Sequence, residues 1–189
     1  MVHNRLSILI PSVTERLVHL SRTYAALAHQ ASGYPVEVLG LLDNKRRTTG
    51  AKRNDLLAMA RGDYVSFVDD DDRVESDYVA QLLHGTSSDA DCVLFEVMVH
   101  QQGQPDRVAK YDPSFVEQTL PTEYHRKPNH VMCYRRAIAL RHRYPDRSFG
   151  EDSDWAVRAS RDLGRVHHIR KVLYHYDVVH KDQSWYYAG

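Results

Sequence analysis

Apolar and polar positions along the first half of the chain follow a pattern of short strands separated by helices. Apolar runs rich in β-branched residues cover Leu6–Ile10, Val36–Leu42 and Tyr64–Val68, and a fourth covers Cys92–Val99. Runs of this length without polar alternation are typical of strands buried in a parallel sheet. We expect Pro11 to end the first run, because proline cannot donate a ladder hydrogen bond.

Helical patterns fill the intervals between these strands. We predict helices over residues 15–29, 51–61 and 75–84. The stripe of the first helix that should face the core consists of Leu17, Leu20, Tyr24, Leu27 and Ala28. Ser12 and Thr14 are candidate N-caps of that helix, and Gly62 is placed to end the second helix. Strands and helices in this order predict a mainly parallel sheet flanked by helices.

The second half of the chain is less regular. We predict a hairpin near Gln102–Gly103, a strand around His130–Tyr134, a helix over about 152–163 and a last strand near Lys171–Tyr176. No internal repeat, low-complexity tract or long linker interrupts the sequence. We therefore expect a single domain over residues 1–189.

Composition and charge narrow the class of protein. The 189 residues include 25 Lys and Arg against 25 Asp and Glu, so no overall field attracts the chain to nucleic acid or membrane. Cys92 and Cys133 lie in apolar runs, which predicts buried thiols rather than a disulfide. The apolar run near the N-terminus is too short for a signal peptide or a membrane span. We expect a soluble, cytoplasmic protein without membrane insertion.

Polar residues follow each of the first three predicted strands. They are Pro11–Ser12, Asp43–Asn44 and the run Asp69–Asp72. In open parallel sheets, ligands bind beyond the carboxyl ends of the strands. A run of four carboxylates is usually a solvated loop, but directly after a buried strand its repulsion is offset most directly by a divalent cation. Ligation by oxygen alone suits Mg²⁺ or Mn²⁺ rather than zinc.

Several segments, taken in chain order, match the pattern of a known family. Leu6–Pro11 and Val36–Asp43 resemble its first two strands, and Gly50–Asp72 resembles its Ala-Arg-Asn-like turn, helix, strand and Asp-x-Asp-Asp cluster. Gly150–Trp155 resembles a Glu-Asp motif heading a helix, and Leu173–Ser184 resembles a closing Tyr-Tyr-Arg-x-His pattern. These are motifs of family 2 glycosyltransferases with the GT-A fold. The resemblance implies an α/β, Rossmann-like sheet, with a nucleotide-sugar donor half over residues 1–100 and a smaller, mixed acceptor and catalytic half over 101–189.

The resemblance implies donor-binding roles for residues at the strand ends and at the start of the second helix. These residues are Pro11, Ser12, Asp43, Arg53, Asn54, Asp69 and Asp70. Asp43 would bind the nucleobase, and Arg53 would bind the diphosphate, because a planar guanidinium matches phosphate oxygens. Lys52 departs from the family pattern, in which alanine is common at this position.

The resemblance also implies a metal site, Mn²⁺ or Mg²⁺, at the aspartate run. Asp69 would hold the donor ribose or the metal, and Asp71 would hold the metal. The roles of Asp70 and Asp72 stay open, because a run of four aspartates can be aligned with the family motif in more than one way. His180 resembles the family's metal-contacting histidine, and His175 is a nearby rival.

The Glu151-Asp152 pair carries the catalytic prediction. By resemblance, Asp152 is the general base and Glu151 its neighbour in the site, since inverting sugar transfer needs a carboxylate to take the proton of the acceptor hydroxyl. The alternative for the pair is simple complementarity with the helix dipole. Trp155, one turn further, is expected in the core. The predicted reaction moves a sugar from a nucleoside-diphosphate sugar, with UDP the favoured nucleotide, to an acceptor hydroxyl.

The acceptor is the least determined part of the prediction. Residues 124–143 contain six Lys and Arg with interleaved His and Tyr and no acidic residue, and a second basic group covers 165–171. These groups are either solvated helix faces or the footprint of an anionic acceptor. An anionic acceptor would be a phosphorylated or acidic saccharide, or nucleic acid with a hydroxylated base.

Three other classes of enzyme would carry motifs that this sequence lacks. A nucleotidyltransferase would carry a glycine-rich basic loop after the first strand, and a phosphohydrolase would carry an Asp-x-Asp there; residues 11–15 contain neither. A Rossmann dehydrogenase is excluded because the sequence has no Gly-x-Gly-x-x-Gly. A non-catalytic module that binds a nucleotide sugar stays open.

Overall fold

A computed structural model describes residues 4–178. Within these residues the strands are β1 Leu6–Val13, β2 Val36–Asp43, β3 Tyr64–Phe67, β4 Arg73–Val74, β5 Cys92–Gln101, β6 Arg107–Tyr111, β7 Gln118–Thr119, β8 Glu123–Arg126, β9 Cys133–Arg135 and β10 Val166–Val178. The α-helices are α1 Leu17–Ala31, α2 Thr49–Met59, α3 Tyr78–Thr86, α4 Arg136–Ala139 and α5 Glu151–Ala159. Short 3-10 turns cover Thr14–Arg16 and Ser160–Asp162.

All the strands join one sheet whose main path runs β2-β1-β3-β9-β5-β6-β8-β7, with β10 paired to β5 and β4. β1 is parallel to β2 and β3, and β10 is parallel to β5. β9 lies between β3 and β5 and is antiparallel to both. The predicted α/β fold with a mainly parallel sheet is confirmed. Because β1, β2 and β3 are parallel, their carboxyl ends meet at one edge.

The core forms where the apolar runs predicted it. In β1 the side chains of Leu6, Ile8, Leu9 and Ile10 are fully buried, so both faces of this strand are covered. Trp155 is buried as expected, and its indole stacks on the Tyr144 ring with centroids 4.9 Å apart. Cys92 and Cys133 are buried free thiols, which confirms the prediction for both.

The predicted core stripe of α1 is partly wrong. Leu17 and Tyr24 are 49% and 43% exposed. The buried face instead runs through Thr23, Leu27 and Ala31, which are spaced four residues apart and therefore lie one above the other on the helix. Thr23 can belong to this stripe because its hydroxyl donates to the backbone carbonyl of Asp70. A search for apolar residues at helical spacing does not find such a residue.

Pro11 does not end β1, contrary to the prediction. The strand continues to Val13, with Pro11 opposite Leu41 of β2. The Leu9 carbonyl accepts a hydrogen bond from the Val68 amide, so the backbone N–H and C=O of Leu9 point toward β3. The backbone groups of Pro11, two residues further along the strand, point to the same side. β3 has already ended at Phe67, so the missing N–H of proline costs no ladder bond.

Gly62 does not act as a helix stop. α2 ends at Met59, three residues earlier. A Cβ at Gly62 would lie 2.6 Å from the Ser7 backbone nitrogen, and the Gly62 amide donates to the Ser7 hydroxyl at 2.8 Å. Glycine is required here because the chain passes closely over β1.

Other boundaries shift by a few residues. The predicted helix over 152–163 is α5 followed by a 3-10 turn, and the last strand begins at Val166, earlier than predicted. The strand predicted from His130 begins only at Cys133, because the Met132 amide closes a turn on the Asn129 carbonyl. The hairpin at Gly103 is confirmed by the antiparallel pairing of β5 with β6. In the part of the chain that the structure describes, no helix is long and apolar enough to cross a bilayer.

Candidate active site

The four aspartates after β3 divide into two pairs by burial. Asp70 and Asp72 are only 2% and 3% exposed, whereas the side chains of Asp69 and Asp71 keep 25% and 20% of their surface accessible. Alternate residues of the run therefore face the protein and the open edge of the sheet. This alternation makes Asp69 and Asp71 the more accessible pair, although Arg53 contacts Asp69 at 2.9 Å and Arg16 contacts Asp71 at 3.1 Å.

Asp70 braces the aspartate loop against β1 and α1. Its carboxylate accepts bonds from the Ser12 hydroxyl at 2.6 Å and from the Arg16 guanidinium at 2.8 Å. The Thr23 hydroxyl bonds its backbone carbonyl at 3.1 Å. Burial raises the pKa of the Asp70 carboxyl, although the bonds to Ser12 and Arg16 oppose the shift. Ser12, predicted as a helix cap or donor contact, holds this loop and caps no helix.

Asp72 fastens the loop to β10. The Tyr174 hydroxyl donates to the Asp72 carboxylate at 2.6 Å and accepts the Asp69 amide at 3.1 Å. Burial raises the pKa of Tyr174 well above its ordinary value, so the phenol stays a donor. The backbone of Asp69 is thus fixed by a side chain more than a hundred residues away, which no local pattern could predict.

Asp43, at the end of β2, lies in a basic pocket. Lys52 is buried, and its ammonium group bonds the Asp43 carboxylate at 3.1 Å and the Ser12 carbonyl at 2.8 Å. The backbone amides of Lys45 and Arg47 also donate to this carboxylate. Partial burial would raise the pKa of Asp43, but Lys52 and the two amides lower it below its ordinary value. The departure from alanine at position 52 therefore supplies a counter-ion.

Arg53 connects the edge of the sheet at which β1, β2 and β3 end to the start of α5. Its guanidinium bonds the carboxylates of Asp69 at 2.9 Å and Glu151 at 3.3 Å, and it stacks over the Phe67 ring at 5.0 Å from the centroid. Burial alone would lower the pKa of Arg53, but the charge of Asp69, with that of Glu151, raises it. Its Nη1 is buried and has no hydrogen-bond partner among the residues described. Arg53 is therefore a buried residue of the interior and not a solvated side chain at a helix start.

Asn54 holds the loop that leads into α5. Its amide nitrogen donates to the Tyr144 carbonyl and its amide oxygen accepts the Tyr144 amide, both at 2.9 Å. Gly50, one turn earlier, lets the same loop approach α2, since a Cβ there would lie 1.9 Å from the Pro145 carbonyl oxygen. Both the amide nitrogen and the amide oxygen of Asn54 are thus hydrogen-bonded to the loop. The donor-binding role of Asn54 stays a prediction.

Asp152 and Glu151 occupy the first turn of α5, where carboxylates suit the helix dipole. Glu151 is 4% exposed and faces Arg53. Asp152 is more open, with a side chain 34% exposed, and its Oδ1 accepts the Ser153 amide at 2.8 Å. Its Oδ2 lies 3.4 Å from Nδ1 of His130, whose Nε2 lies 3.4 Å from Oδ2 of Asp69. The sequence placed His130 only in a basic stretch, and no motif signalled this position.

Comparisons with known proteins identify the family of this chain. The family model described as glycosyl transferase family 2 matches residues 23–150. The chain belongs to glycosyl transferase family 2. EpsH of Bacillus subtilis (strain 168), whose name assigns it to the glycosyltransferases, is 26% identical over an alignment of 152 positions that covers 73% of this chain and 44% of EpsH.

Solved structures give the same fold. The crystal structure of S. aureus TarS 1–349 in complex with UDP-GlcNAc has a TM-score of 0.64 at 16% identity, covering 93% of this chain and 59% of that one. TarS 1–349 in complex with UDP has a TM-score of 0.60 at 18% identity, covering 92% and 60%. At these identities the likeness concerns the fold alone. The chain spans about half the length of these relatives.

The described residues of this family 2 chain offer two carboxylates rather than a complete metal site. No three His, Cys, Asp or Glu side chains among them converge as a cation site. Asp69 and Asp71 remain partly accessible, and magnesium is often held by one or two carboxylates together with substrate phosphates. His180 lies outside the described residues. His175 bonds Glu75 at 2.7 Å and His100 at 3.0 Å, so its two ring nitrogens are both engaged away from Asp69.

Several basic residues of this family 2 chain have carboxylate partners in the described structure. Arg135 and Arg165 both pair with Asp89, which precedes β5 and so lies at the sheet edge opposite the site. Arg141 pairs with Asp162, and Lys171 pairs with Asp77. Four of the nine Lys and Arg in residues 124–143 and 165–171 are thus paired, which reduces the positive charge available to an anionic acceptor.

Proposed function

We propose that this chain transfers a sugar from a UDP-sugar to an acceptor hydroxyl with inversion at the anomeric carbon, using Mn²⁺ or Mg²⁺. The observation that carries the proposal is the joining of Asp69, after β3, to Glu151 and Asp152, at the head of α5. Arg53 bridges Asp69 and Glu151, and His130 lies between Asp69 and Asp152. A donor edge and a candidate base held in one network are what a transfer between two substrates requires.

The donor end of the site is proposed at the strand ends of β1, β2 and β3. Asp43 would accept hydrogen bonds from the nucleobase while Lys52 keeps it ionised. The partly accessible Asp69 and Asp71 would hold the divalent cation, with His180 a further proposed ligand. When bound, this cation would offset the negative charge that grows on the departing diphosphate. The two TarS complexes contain UDP-GlcNAc and UDP, which supports UDP as the nucleotide tested first.

Asp152 is proposed as the general base. It would take the proton of the acceptor hydroxyl while the hydroxyl oxygen forms a bond to the anomeric carbon from the face opposite the nucleotide. The bond from the anomeric carbon to the diphosphate oxygen breaks, and its electron pair leaves with UDP. Glu151 is buried against Arg53 and has no comparable access to an acceptor. The accessible carboxylate is therefore the better base.

The donor assignment is tested by thermal unfolding with UDP-, GDP- and dTDP-sugars, each with Mn²⁺ and with EDTA. A ligand that binds only the folded state at a hundredfold excess over its Kd adds about 2.7 kcal/mol to the unfolding free energy. We expect stabilisation by UDP-sugars that EDTA abolishes. Stabilisation by another nucleotide class would correct the donor, and no stabilisation by any donor would contradict the proposal.

The acceptor is proposed as a saccharide hydroxyl, because part of the basic pattern that a nucleic acid would need, including Arg135, Arg141 and Lys171, is paired with carboxylates. Transfer to a modified DNA base would lose affinity steeply between low and moderate salt, whereas transfer to a neutral saccharide would not. Measuring UDP release against both acceptor types over this salt range separates them. Binding of donor without release of UDP would instead indicate a non-catalytic module, and release of pyrophosphate would indicate a nucleotidyltransferase.

A further inference from the structure

His130 lies between the two carboxylates on which the proposed reaction depends. Its side chain is 7% exposed, Nε2 lies 3.4 Å from Oδ2 of Asp69, and Nδ1 lies 3.4 Å from Oδ2 of Asp152. Its Nδ1 is buried and has no partner with hydrogen-bond geometry among the described residues. A buried imidazole nitrogen this close to a carboxylate can bond it after a small movement of the carboxylate, and the Asp152 side chain is one third exposed.

The backbone that carries His130 is held firmly. The Ser66 hydroxyl of β3 donates to the Val131 carbonyl at 2.9 Å, and the Tyr134 hydroxyl donates to the Pro128 carbonyl at 2.9 Å. The imidazole itself packs at a tilt against the Phe67 ring, with centroids 6.5 Å apart. Its position is therefore set by β3, the strand that also ends at the aspartate run. Movement of the ring relative to Asp69 is restricted.

Asp152 has few other contacts that fix its carboxylate. Oδ1 accepts the amide of Ser153, and the side chain is otherwise one third exposed. A carboxylate only accepts hydrogen bonds, so an imidazole nitrogen holds it through N–H, and a ring that holds both carboxylates donates from both nitrogens. Each carboxylate oxygen has two lone pairs, so a bond from His130 leaves capacity for an acceptor hydroxyl.

We propose that His130 is a positioning residue that orients Asp152 toward the acceptor and fixes it relative to Asp69. The inference rests on the proposed role of Asp152 as base. The two contacts have separable consequences. Loss of the bond from Nδ1 should reduce the rate of transfer, and loss of the bond from Nε2 should weaken the donor edge.

Two amide substitutions test the contacts one at a time. In His130→Asn the amide nitrogen replaces Nδ1, and in His130→Gln it replaces Nε2. We expect kcat of UDP-sugar hydrolysis to stay within about threefold of the parent in the Asn variant and to fall about tenfold or more in the Gln variant. The Kd for UDP should follow the opposite order. His19→Asn, on the exposed face of α1, is the matched control and should leave both quantities unchanged.

A spectroscopic measurement makes the test independent of turnover. The ¹⁵N shifts of the His130 ring are compared in the parent chain, in Asp152→Asn and in Asp69→Asn. The structure predicts that Asp152→Asn moves Nδ1 and that Asp69→Asn moves Nε2. Ring shifts unmoved by both changes, or equal kinetic losses in the Asn and Gln variants, would overturn the inference. A parent chain without UDP-sugar hydrolysis would contradict the proposed function instead, while the ring shifts would still judge the contacts.

Discussion

Replacing Arg53 with methionine should destabilise the fold strongly, because it leaves a buried carboxylate without its counter-ion. Arg53 and Glu151 are 4% and 5% exposed at their side chains and lie 3.3 Å apart. Removing one member of a buried pair of this kind costs about 3–5 kcal/mol. Asp69, the second carboxylate that Arg53 contacts, is 25% exposed at its side chain, so water can solvate it once the guanidinium is gone. The loss of this contact adds at most about 1 kcal/mol to the destabilisation. Methionine retains much of the apolar contact with Phe67.

The assay is equilibrium unfolding in urea, followed by tryptophan fluorescence, with thermal melting as a second measure. For a domain of this size, a loss of 3–5 kcal/mol corresponds to a fall in Tm of about 6–20 °C. The informative comparison adds Glu151→Gln. Glu151→Gln alone should destabilise the fold less than Arg53→Met does, because Arg53 still has Asp69 as a partner. In the Arg53→Met background the same change should restore stability, because it removes the unpaired buried charge of Glu151.

Two results would refute this reasoning. A loss below about 1 kcal/mol in Arg53→Met would mean that water reaches Glu151 and that the pair behaves as a surface ion pair. Simple addition of the two single losses in the double variant would mean that the side chains do not interact energetically. Either result would also weaken the claim that Arg53 links the donor edge to the base.

Three further predictions follow from individual contacts. Asp71→Ala should abolish the Mn²⁺-dependent part of UDP binding in calorimetry, and unchanged affinity would move the metal role elsewhere. Because the pKa of Asp43 is lowered, its contribution to stability is present above its ordinary value of 3.8 and is lost as the pH falls through the folded-state pKa. Asp43→Asn should therefore flatten the fall of the urea-unfolding free energy between about pH 5 and pH 2, and an unchanged acid limb would contradict the contact. Gly50→Ala should cost about 1–3 kcal/mol through collision with the Pro145 carbonyl, whereas Gly40→Ala, whose nearest neighbour is a side chain at 3.4 Å, should cost less.

The sequence predicted well which residues would lie together at the carboxyl ends of β1, β2 and β3, because the order of strands and helices along the chain determines this edge. Three apolar runs separated by helices place their carboxyl ends together, so Asp43 and Asp69 had to lie at one edge of the sheet. The Glu151-Asp152 pair was recognised by motif, and the structure puts it at the head of α5, within reach of that edge.

Contacts made by long-range packing could not be predicted in the same way. Tyr174 binding Asp72, and His130 lying between Asp69 and Asp152, depend on the insertion of β9 next to β3 and on the pairing of β10. Tyr174 lies in the segment Leu173–Ser184, but the motif there gave it no role, and no pattern distinguished His130 from its neighbours. The charge pattern could not reveal the acidic partners of the basic stretch for the same reason, since these partners lie far from it in sequence, as Arg135 with Asp89 shows.

The central claim is that Asp152 is the base of a UDP-sugar transfer. It is tested most directly by comparing Asp152→Asn with the parent chain for UDP affinity and for turnover of the same UDP-sugar. Asparagine matches aspartate in shape but takes no proton, and loss of a general base typically costs a factor of about 10² to 10⁴. We predict unchanged UDP affinity and a loss of turnover in that range. Turnover at the parent rate would contradict the account.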